Sequence, residues 1–275
     1  MTATTLALAS LHAAEAPLDE EEGGFHAPGT EIFNFDPLFS IGGLEVTKPM
    51  VMAFFGTAIV VTLFYVACAN PKMVPGKLQA LVELGYTFVR DDIARSIIGK
   101  RGDKYVPLLV SLFFFVWILN LFAVIPLLQF PVTSRIAYPA VLAIIVYLLF
   151  IFLGIKHQGP VGYFKNMMFP PGIPKPVYVI LAPLEFISTI LVRPFTHAVR
   201  LFANMFAGHV LIAFFAVTAY YFIVETQGLG IVIGVAGFIM TIAMTGFEMF
   251  IQVLQAFIFT LLAAVYIQSS VEVDH

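Results

Sequence analysis

Residues 199 to 209, VRLFANMFAGH, place an arginine inside a long apolar stretch. Arg200 lies 25 residues from Lys175 and 25 from Glu225, so along a helix it is roughly 37 Å from either charge. A guanidinium is not deprotonated in proteins and therefore needs a counter-charge or a wet cavity. The nearest acid, Glu185, is about four turns away, too far for a direct pair. We expect the partner of Arg200 on another helix or another chain.

A later apolar stretch carries a stripe of polar side chains. At about 100° per residue, five of them fall within roughly 80° of one another on a helix. In lipid, such a stripe should face protein or water. We expect the two threonines to form interhelical hydrogen bonds. The stripe consists of Thr241, Thr245, Glu248, Gln252 and Gln255.

Antiparallel pairing of these two stretches about Gly228 predicts which polar residues face each other, because facing residue numbers then sum to about 456. A histidine exchanges protons near neutral pH and a neighbouring acid completes a relay, so one pair is a candidate for proton transfer, with simple interhelical hydrogen bonding as the alternative. Because His209 is about 180° around a straight helix from Arg200, these pairs would need a bend near Gly208 or curvature of the helix. The predicted pairs are Arg200 with Gln255, Asn204 with Gln252, and His209 with Glu248.

Three further polar residues are weaker candidates. Arg193 and His197 lie nearer one end of the first stretch, where they are expected to act as interfacial anchors or to border the same path. Asn120 lies in another apolar run, VWILNLFAVIP. Each is treated as a possible site residue.

Composition restricts the class of protein. The chain has 275 residues, of which 60% are hydrophobic and 11% charged, with a mean hydropathy of +0.95, values typical of a polytopic membrane protein. No basic arm accompanies the net charge of −3, so nucleic-acid binding is excluded. The single cysteine, Cys68, allows neither an intrachain disulfide nor a cysteine-rich metal site and is expected to be a small buried hydrophobe. No cofactor or enzyme motif is found.

The hydropathy pattern predicts an all-α membrane domain over residues 47–275. Five crossing helices are expected at about 47–69, 106–128, 136–155, 176–224 and 228–268, the second and third forming a tight hairpin. The last two stretches are too long to stand upright in a core of about 30 Å, so we expect two long, strongly tilted helices joined as a hairpin at Gly228. Residues 76–99 predict an amphipathic helix, either lying on the membrane surface or packed against a soluble partner.

Positive charge sets the predicted orientation. Residues 70–105 contain seven Lys or Arg and residues 156–175 contain three, whereas the opposite side has only Lys48 and Arg135. The positive-inside rule makes the first two segments cytoplasmic, the N-terminus external and the C-terminus cytoplasmic. Residues 1–46 are expected to form an acidic, mobile extracytoplasmic arm, with a cleaved signal peptide as the alternative for its start.

From about residue 40 onward, the sequence resembles the a subunit of bacterial F-type ATP synthases. The resemblance rests on VRLFANMFAGH at 199–209, LQAFIFTLLAAVYI at 254–267 and FVWILNLFAVIP at 115–126. It implies a stator in the plasma membrane, one copy per complex, that conducts protons to and from the carboxylates of a rotating c-ring. The implied partners are that ring, b-type subunits of the peripheral stalk and the lipid bilayer, and ATP chemistry belongs to other subunits.

The resemblance also implies roles for individual residues. Arg200 would face the ring and separate two half-channels. Glu185 would lie on the cytoplasmic route. In many members the positions of His209 and Glu248 hold an acid and a histidine the other way round, so the pair is exchanged here. Some members carry an acid where this chain has Ala123, which leaves Asn120 alone. The external half-channel would contain Asn204, His209, Glu248, Gln252 and Gln255.

Two other functions stay open from the sequence. An ion-coupled secondary transporter predicts inverted repeats and unwound half-helices, and no repeat is found. A structural anchor of a respiratory complex would not need Arg200 near Gln255. Sodium also stays open as the coupling ion.

Overall fold

Helices form most of the described chain. The computed structural model describes residues 27–34, 36–41, 44–69, 72–125, 128–169 and 174–271. A short antiparallel hairpin of β1 (Phe39–Ile41) and β2 (Leu44–Val46) precedes the first long helix. The helices are α1 (Lys48–Ala69), α2 (Lys77–Phe88), α3 (Val106–Leu121), α4 (Ala137–Gln158), α5 (Pro160–Met168), α6 (Tyr178–Ile187), α7 (Arg193–Val224) and α8 (Leu229–Val271).

Several helices continue into one another. A π-helical stretch (Val89–Arg95), one α-helical turn (Ser96–Ile98) and a 3₁₀ segment (Gly99–Tyr105) join α2 to α3, and a π-helical stretch (Ser188–Val192) joins α6 to α7. Within the described ranges, five helical segments are long and apolar enough to cross a membrane, which confirms the predicted all-α polytopic class. They are Lys48–Ala69, Lys77–Leu121, Ala137–Gln158, Tyr178–Val224 and Leu229–Val271.

The last two segments form the predicted long hairpin. They contain 47 and 43 residues, or about 70 and 65 Å of helix at 1.5 Å per residue. The chain reverses at Gly228, whose φ of 67° is a left-handed conformation that glycine adopts without strain. Small residues let α7 and α8 approach closely: a Cβ added to Gly237 would lie 3.2 Å from the backbone nitrogen of Ala219.

The second membrane helix ends earlier than predicted, and the hairpin expected after it does not form. The α-helix stops at Leu121 rather than near 128. Turns closed by hydrogen bonds between residues three apart follow, with the Ala123 backbone amide donating to the Asn120 backbone carbonyl at 3.0 Å. Pro126 has no amide hydrogen and disfavours helix in the residue before it. In the described chain α3 and α4 do not pack along one another, because α8 packs against both of them.

The amphipathic segment packs against this chain itself. Its side chains Val89, Ile93 and Ala94 are fully buried, and the segment contacts α3 and α8. The first helix of the segment, α2, keeps apolar side chains exposed at Leu78 and Leu81. Its most buried apolar face is therefore covered within the chain rather than by lipid or a soluble partner.

Two predictions about α1 and the residues before it are wrong for the part that the structure describes. A 3₁₀ turn (Thr30–Phe33) is docked on the membrane domain: Phe33 is 8% exposed and its carbonyl accepts a 2.7 Å hydrogen bond from Arg135. This end of the arm that was expected to be mobile is thus fixed, and the start of the arm, for which a signal peptide was the alternative, lies outside the described residues. Cys68 is exposed on α1, not buried, because this α1 face packs against no described helix.

Candidate functional site

Arg200 lies on α7 with its side chain exposed at the surface of the chain. Among the described residues, no carboxylate lies within 4.0 Å of its guanidinium. Because a permanent charge deep in an apolar helix needs compensation, this exposure directs the charge toward another molecule. The expectation of a partner on another helix of this chain is not met in the described ranges.

One turn along α7, Asn204 connects the arginine-bearing helix to α8. Its side-chain amide donates a 2.8 Å hydrogen bond to the carbonyl oxygen of the Gln255 side chain. Gln255 is 2% exposed, whereas Asn204 stands at the surface beside Arg200. The predicted partner of Asn204, Gln252, is wrong. The observed pair sums to 459, so Asn204 reaches a residue of α8 almost one helical turn away from the partner that the turn at Gly228 predicts.

Glu248 and Gln252 form the deepest polar part of the site. Glu248 is 3% exposed and Gln252 is fully buried. Neither oxygen of the Glu248 carboxyl and neither polar atom of the Gln252 amide has a hydrogen-bond partner within the described chain. The Glu248 carboxyl carbon would lie 3.5 Å from a Cβ on Gly208, so this acid packs directly beside a glycine of α7. Buried polar atoms are normally satisfied, so this cluster departs from the usual pattern.

His209 does not pair with Glu248, contrary to the prediction. Its ring contacts aromatic side chains, with centroids 5.8 Å from Phe33 and 6.2 Å from Phe130 in edge-on arrangements. Phe206 stacks on Phe33 at 4.5 Å and completes this aromatic surround. No bend is needed near Gly208, since α7 is continuous and it is Gly208, not His209, that faces the acid.

The threonines of the polar stripe bond to their own helix. The Thr241 hydroxyl donates to the Gly237 carbonyl at 2.9 Å, and the Thr245 hydroxyl donates to the Thr241 carbonyl at 2.8 Å. The predicted interhelical bonds are therefore wrong. A hydroxyl satisfied by the carbonyl four residues earlier is a common arrangement in helices.

Asn120 is fully buried at the end of α3, and it has a partner that the sequence did not suggest. The side-chain oxygen of Asn120, Oδ1, accepts a hydrogen bond from the hydroxyl of Thr133, which is also fully buried. The side-chain nitrogen of Asn120, Nδ2, has no partner in the described chain. Thr133 lies in a 3₁₀ turn (Val132–Ser134) that contacts α7. Its motif, PVTSR, signals only a turn, so sequence periodicity could not have found this residue.

Near the start of the helical segment Tyr178–Val224, Glu185 and Arg193 approach each other. Arg193 Nη2 lies 4.0 Å from Glu185 Oε2, and both side chains are about one-third exposed, at 35% and 32%. His197 is 2% exposed, with its ring centroid 3.9 Å from that of Phe259. The prediction of His197 as an interfacial anchor is wrong, because its ring is packed between helices.

Together, these residues define a class of protein. An exposed intramembrane arginine lies beside a carboxamide pair, with a buried unpaired carboxyl group on one side and an exposed carboxylate toward the other end. Charges of this kind inside a membrane helix bundle mark ion pathways. The fold and the site are those of a membrane subunit that moves ions.

Comparison with known proteins identifies the family. The family model described as ATP synthase A chain matches residues 50–268. The chain is 51% identical over 255 residues to ATP synthase subunit a of Streptomyces lividans, covering 92% of this chain and 90% of that protein. It is 42% identical over 249 residues to ATP synthase subunit a of Frankia alni (89% and 85% covered) and 40% identical over 254 residues to that of Rhodococcus erythropolis (91% and 92%).

The chain therefore belongs to the ATP synthase A chain family. It is a multi-pass membrane subunit of a bacterial ATP synthase, in the membrane sector that translocates protons. Its partners are the other membrane-embedded subunits of that complex.

Proposed function

We propose that Arg200 is the residue that meets the carboxylates of a rotating c-ring and separates two offset proton half-channels. The observation that carries this proposal is the exposure of Arg200 on α7 with no carboxylate in range among the described residues. A ring carboxylate that arrives at this surface supplies the missing counter-charge.

The charge of Arg200 provides the chemistry. A nearby cation favours the ionised form of a carboxyl group, so a protonated ring carboxyl releases its proton when it reaches Arg200. An arginine does not itself give up a proton. The same residue therefore discharges the ring and blocks a direct proton leak between the two half-channels.

The external half-channel is built from polar groups on α7 and α8. His209 lies at the end toward Phe33 and Phe130, Glu248 and Gln252 are buried below it, and Asn204 with Gln255 reaches the level of Arg200. Because His209 and Glu248 are not hydrogen-bonded to each other, a proton passes between them through a bridging water. The polar pair Asn120 and Thr133 extends the same buried region.

The cytoplasmic half-channel uses Glu185. Its carboxylate is one-third exposed and lies near Arg193, so it can accept a proton released at Arg200 and pass it to solvent. Arg193 and His197 border this route. With this direction of flow the N-terminus is external and the C-terminus cytoplasmic, as the positive-inside rule indicates.

The assembly follows from this mechanism. A single copy of the chain per complex acts as the stator, held by b-type subunits of the peripheral stalk, while ATP chemistry takes place on other subunits. The chain is thus not catalytic alone. A secondary transporter would need inverted repeats with unwound half-helices at the midplane, and α7 and α8 are continuous helices.

The deciding experiment measures proton flux in inverted membrane vesicles that contain the intact complex. ATP-driven acidification and passive leak are recorded separately for wild type, Arg200→Ala and the control Arg101→Ala, which removes an exposed arginine of the 3₁₀ segment Gly99–Tyr105. We expect Arg200→Ala to abolish pumping with assembly intact and Arg101→Ala to pump normally. Retained pumping in Arg200→Ala would make the charge structural. Omitting sodium tests the coupling ion.

A further inference from the structure

The π-helical stretch Ser188–Val192 lies between the two charged residues of the cytoplasmic end, Glu185 and Arg193. We propose that this stretch is a positioning element that turns Glu185 onto the face of the helix that carries Arg200. The inference rests on the proposed role of Glu185 and adds the device that directs its carboxylate. π-Helical turns inside α-helices frequently occur at functional sites.

The π-helical stretch changes the angles between the charged side chains around the helix axis. In an uninterrupted α-helix, Glu185 would lie about 80° around the axis from Arg193 and about 60° from Arg200. A π-helix takes about 4.4 residues per turn, so five π-helical residues remove about 90° of rotation. Glu185 then lies within about 10° of Arg193 and 30° of Arg200. The three charged side chains share one face only with the π-helical stretch in place.

The contact between the side chains agrees with this rotation. Arg193 Nη2 and Glu185 Oε2 are 4.0 Å apart although eight residues separate them in sequence. Two side chains about two turns apart reach each other only when they point to the same side of the helix. Both remain about one-third exposed, so the carboxylate is held in direction while it stays open to proton exchange.

The sequence supplies a physical cause for the wider turn. Pro194 has no amide hydrogen, and in an α-helix its ring would clash with the carbonyl of the residue four positions earlier, Ile190. Ile190 lies inside the π-helical stretch, which opens the backbone at this point. Within the same stretch, Thr189 is 3% exposed and packs the stretch against the protein.

The test moves the acid and the spacing independently. The first variant exchanges neighbours, Glu185→Phe with Phe186→Glu, and turns the acid about 100° away from Arg193. The second inserts one alanine after Leu191, an exposed residue of the stretch, and turns Glu185 away by a similar angle. The third combines both changes, which returns the acid to a position eight residues before the arginine. ATP-driven pumping is measured per assembled complex.

We expect the exchange alone and the insertion alone each to lower pumping about tenfold or more, since small misplacements of a reacting group have large effects. The combination should restore most of the wild-type rate. A combined variant that pumps no better than either single change would overturn the proposal. So would an exchange variant that pumps like wild type while Glu185→Gln does not.

A deletion provides a second, independent measurement. Removing Leu191 leaves Glu185 seven residues before the arginine, and seven α-helical residues place the two within about 20° of each other. We expect the assembled deletion complex to keep most of its pumping without a π-helical turn, and loss of pumping would contradict the proposal.

Parallel measurements separate this inference from the proposed function. Normal pumping in Glu185→Gln with none in Arg200→Ala would remove Glu185 and its positioning while leaving the role of Arg200. Normal pumping in Arg200→Ala would instead remove the proposed function itself.

Discussion

The side-chain amide of Asn204 donates a 2.8 Å hydrogen bond to the Gln255 side chain and ties α7 to α8 one turn from Arg200. Closer to the turn at Gly228, Gly208 faces Glu248 and Ala219 faces Gly237. The residue numbers of each of these pairs sum to 456. The three pairs fit one register, because a side chain on one helix can contact residues three or four apart on its neighbour. The hydrogen bond lies one turn from the residue that we propose meets the c-ring.

Asn204 and Gln255 should act as a unit. We expect Asn204→Ala and Gln255→Ala each to lower ATP-driven pumping by a few-fold, in line with the ~1 kcal/mol of a hydrogen bond. The double substitution should be much less harmful than the product of the two, because the second change removes a group that has already lost its partner. Thr218→Ala, whose hydroxyl bonds within its own helix, serves as the control: combined with Asn204→Ala its effect should multiply. Multiplicative effects for Asn204 and Gln255 would argue against a shared role.

Gly208 should tolerate a methyl group but not a larger side chain. A Cβ at this position would make an ordinary 3.5 Å contact with the Glu248 carboxyl group, whereas longer branches would displace it. Gly208→Ala is expected to pump near the wild-type rate, and Gly208→Leu to lose about tenfold or more with assembly intact. Gly162→Leu is the control, because a Cβ there meets nothing closer than 3.8 Å. Normal pumping in Gly208→Leu would show that the position of Glu248 is unimportant.

Arg200→Lys should fail to restore coupling. A lysine keeps a positive charge but lacks the planar guanidinium, and it readily loses its proton in an apolar environment. In vesicles we expect ATP-driven acidification well below wild type. Wild-type pumping by this variant would mean that charge alone is sufficient at the ring surface.

His209 should limit proton entry from outside. We expect His209→Ala to lower ATP synthesis driven by an imposed proton gradient about tenfold or more, since proton-transfer groups contribute at least that much. The amount of assembled complex should not change. His157→Ala, which alters a histidine bonded to its own helix at the other end of the membrane, is the control. An unchanged rate in His209→Ala would leave only a packing role for this residue.

The sequence by itself determined the class of protein and marked most of the candidate site residues. Hydropathy runs mark membrane helices because a backbone in lipid must satisfy its own hydrogen bonds. An arginine inside such a run is expensive enough to require a function. For these reasons Arg200, Glu248 and Gln255 could be recognised without coordinates. The sequence also contained a signal for an earlier end of α3, because Pro126 disfavours helix in the residue before it.

Only the tertiary structure decided which groups meet. Asn204 bonds Gln255 rather than Gln252, and Glu248 faces Gly208 while His209 lies among phenylalanines. A helical repeat fixes the face of a residue but not its partner, because a side chain on one helix can reach residues three or four apart on the other. The π-helical stretch before Arg193 likewise rotates Glu185 around the helix axis relative to Arg193. This rotation cannot be predicted by counting 100° per residue, because that count assumes an uninterrupted α-helix.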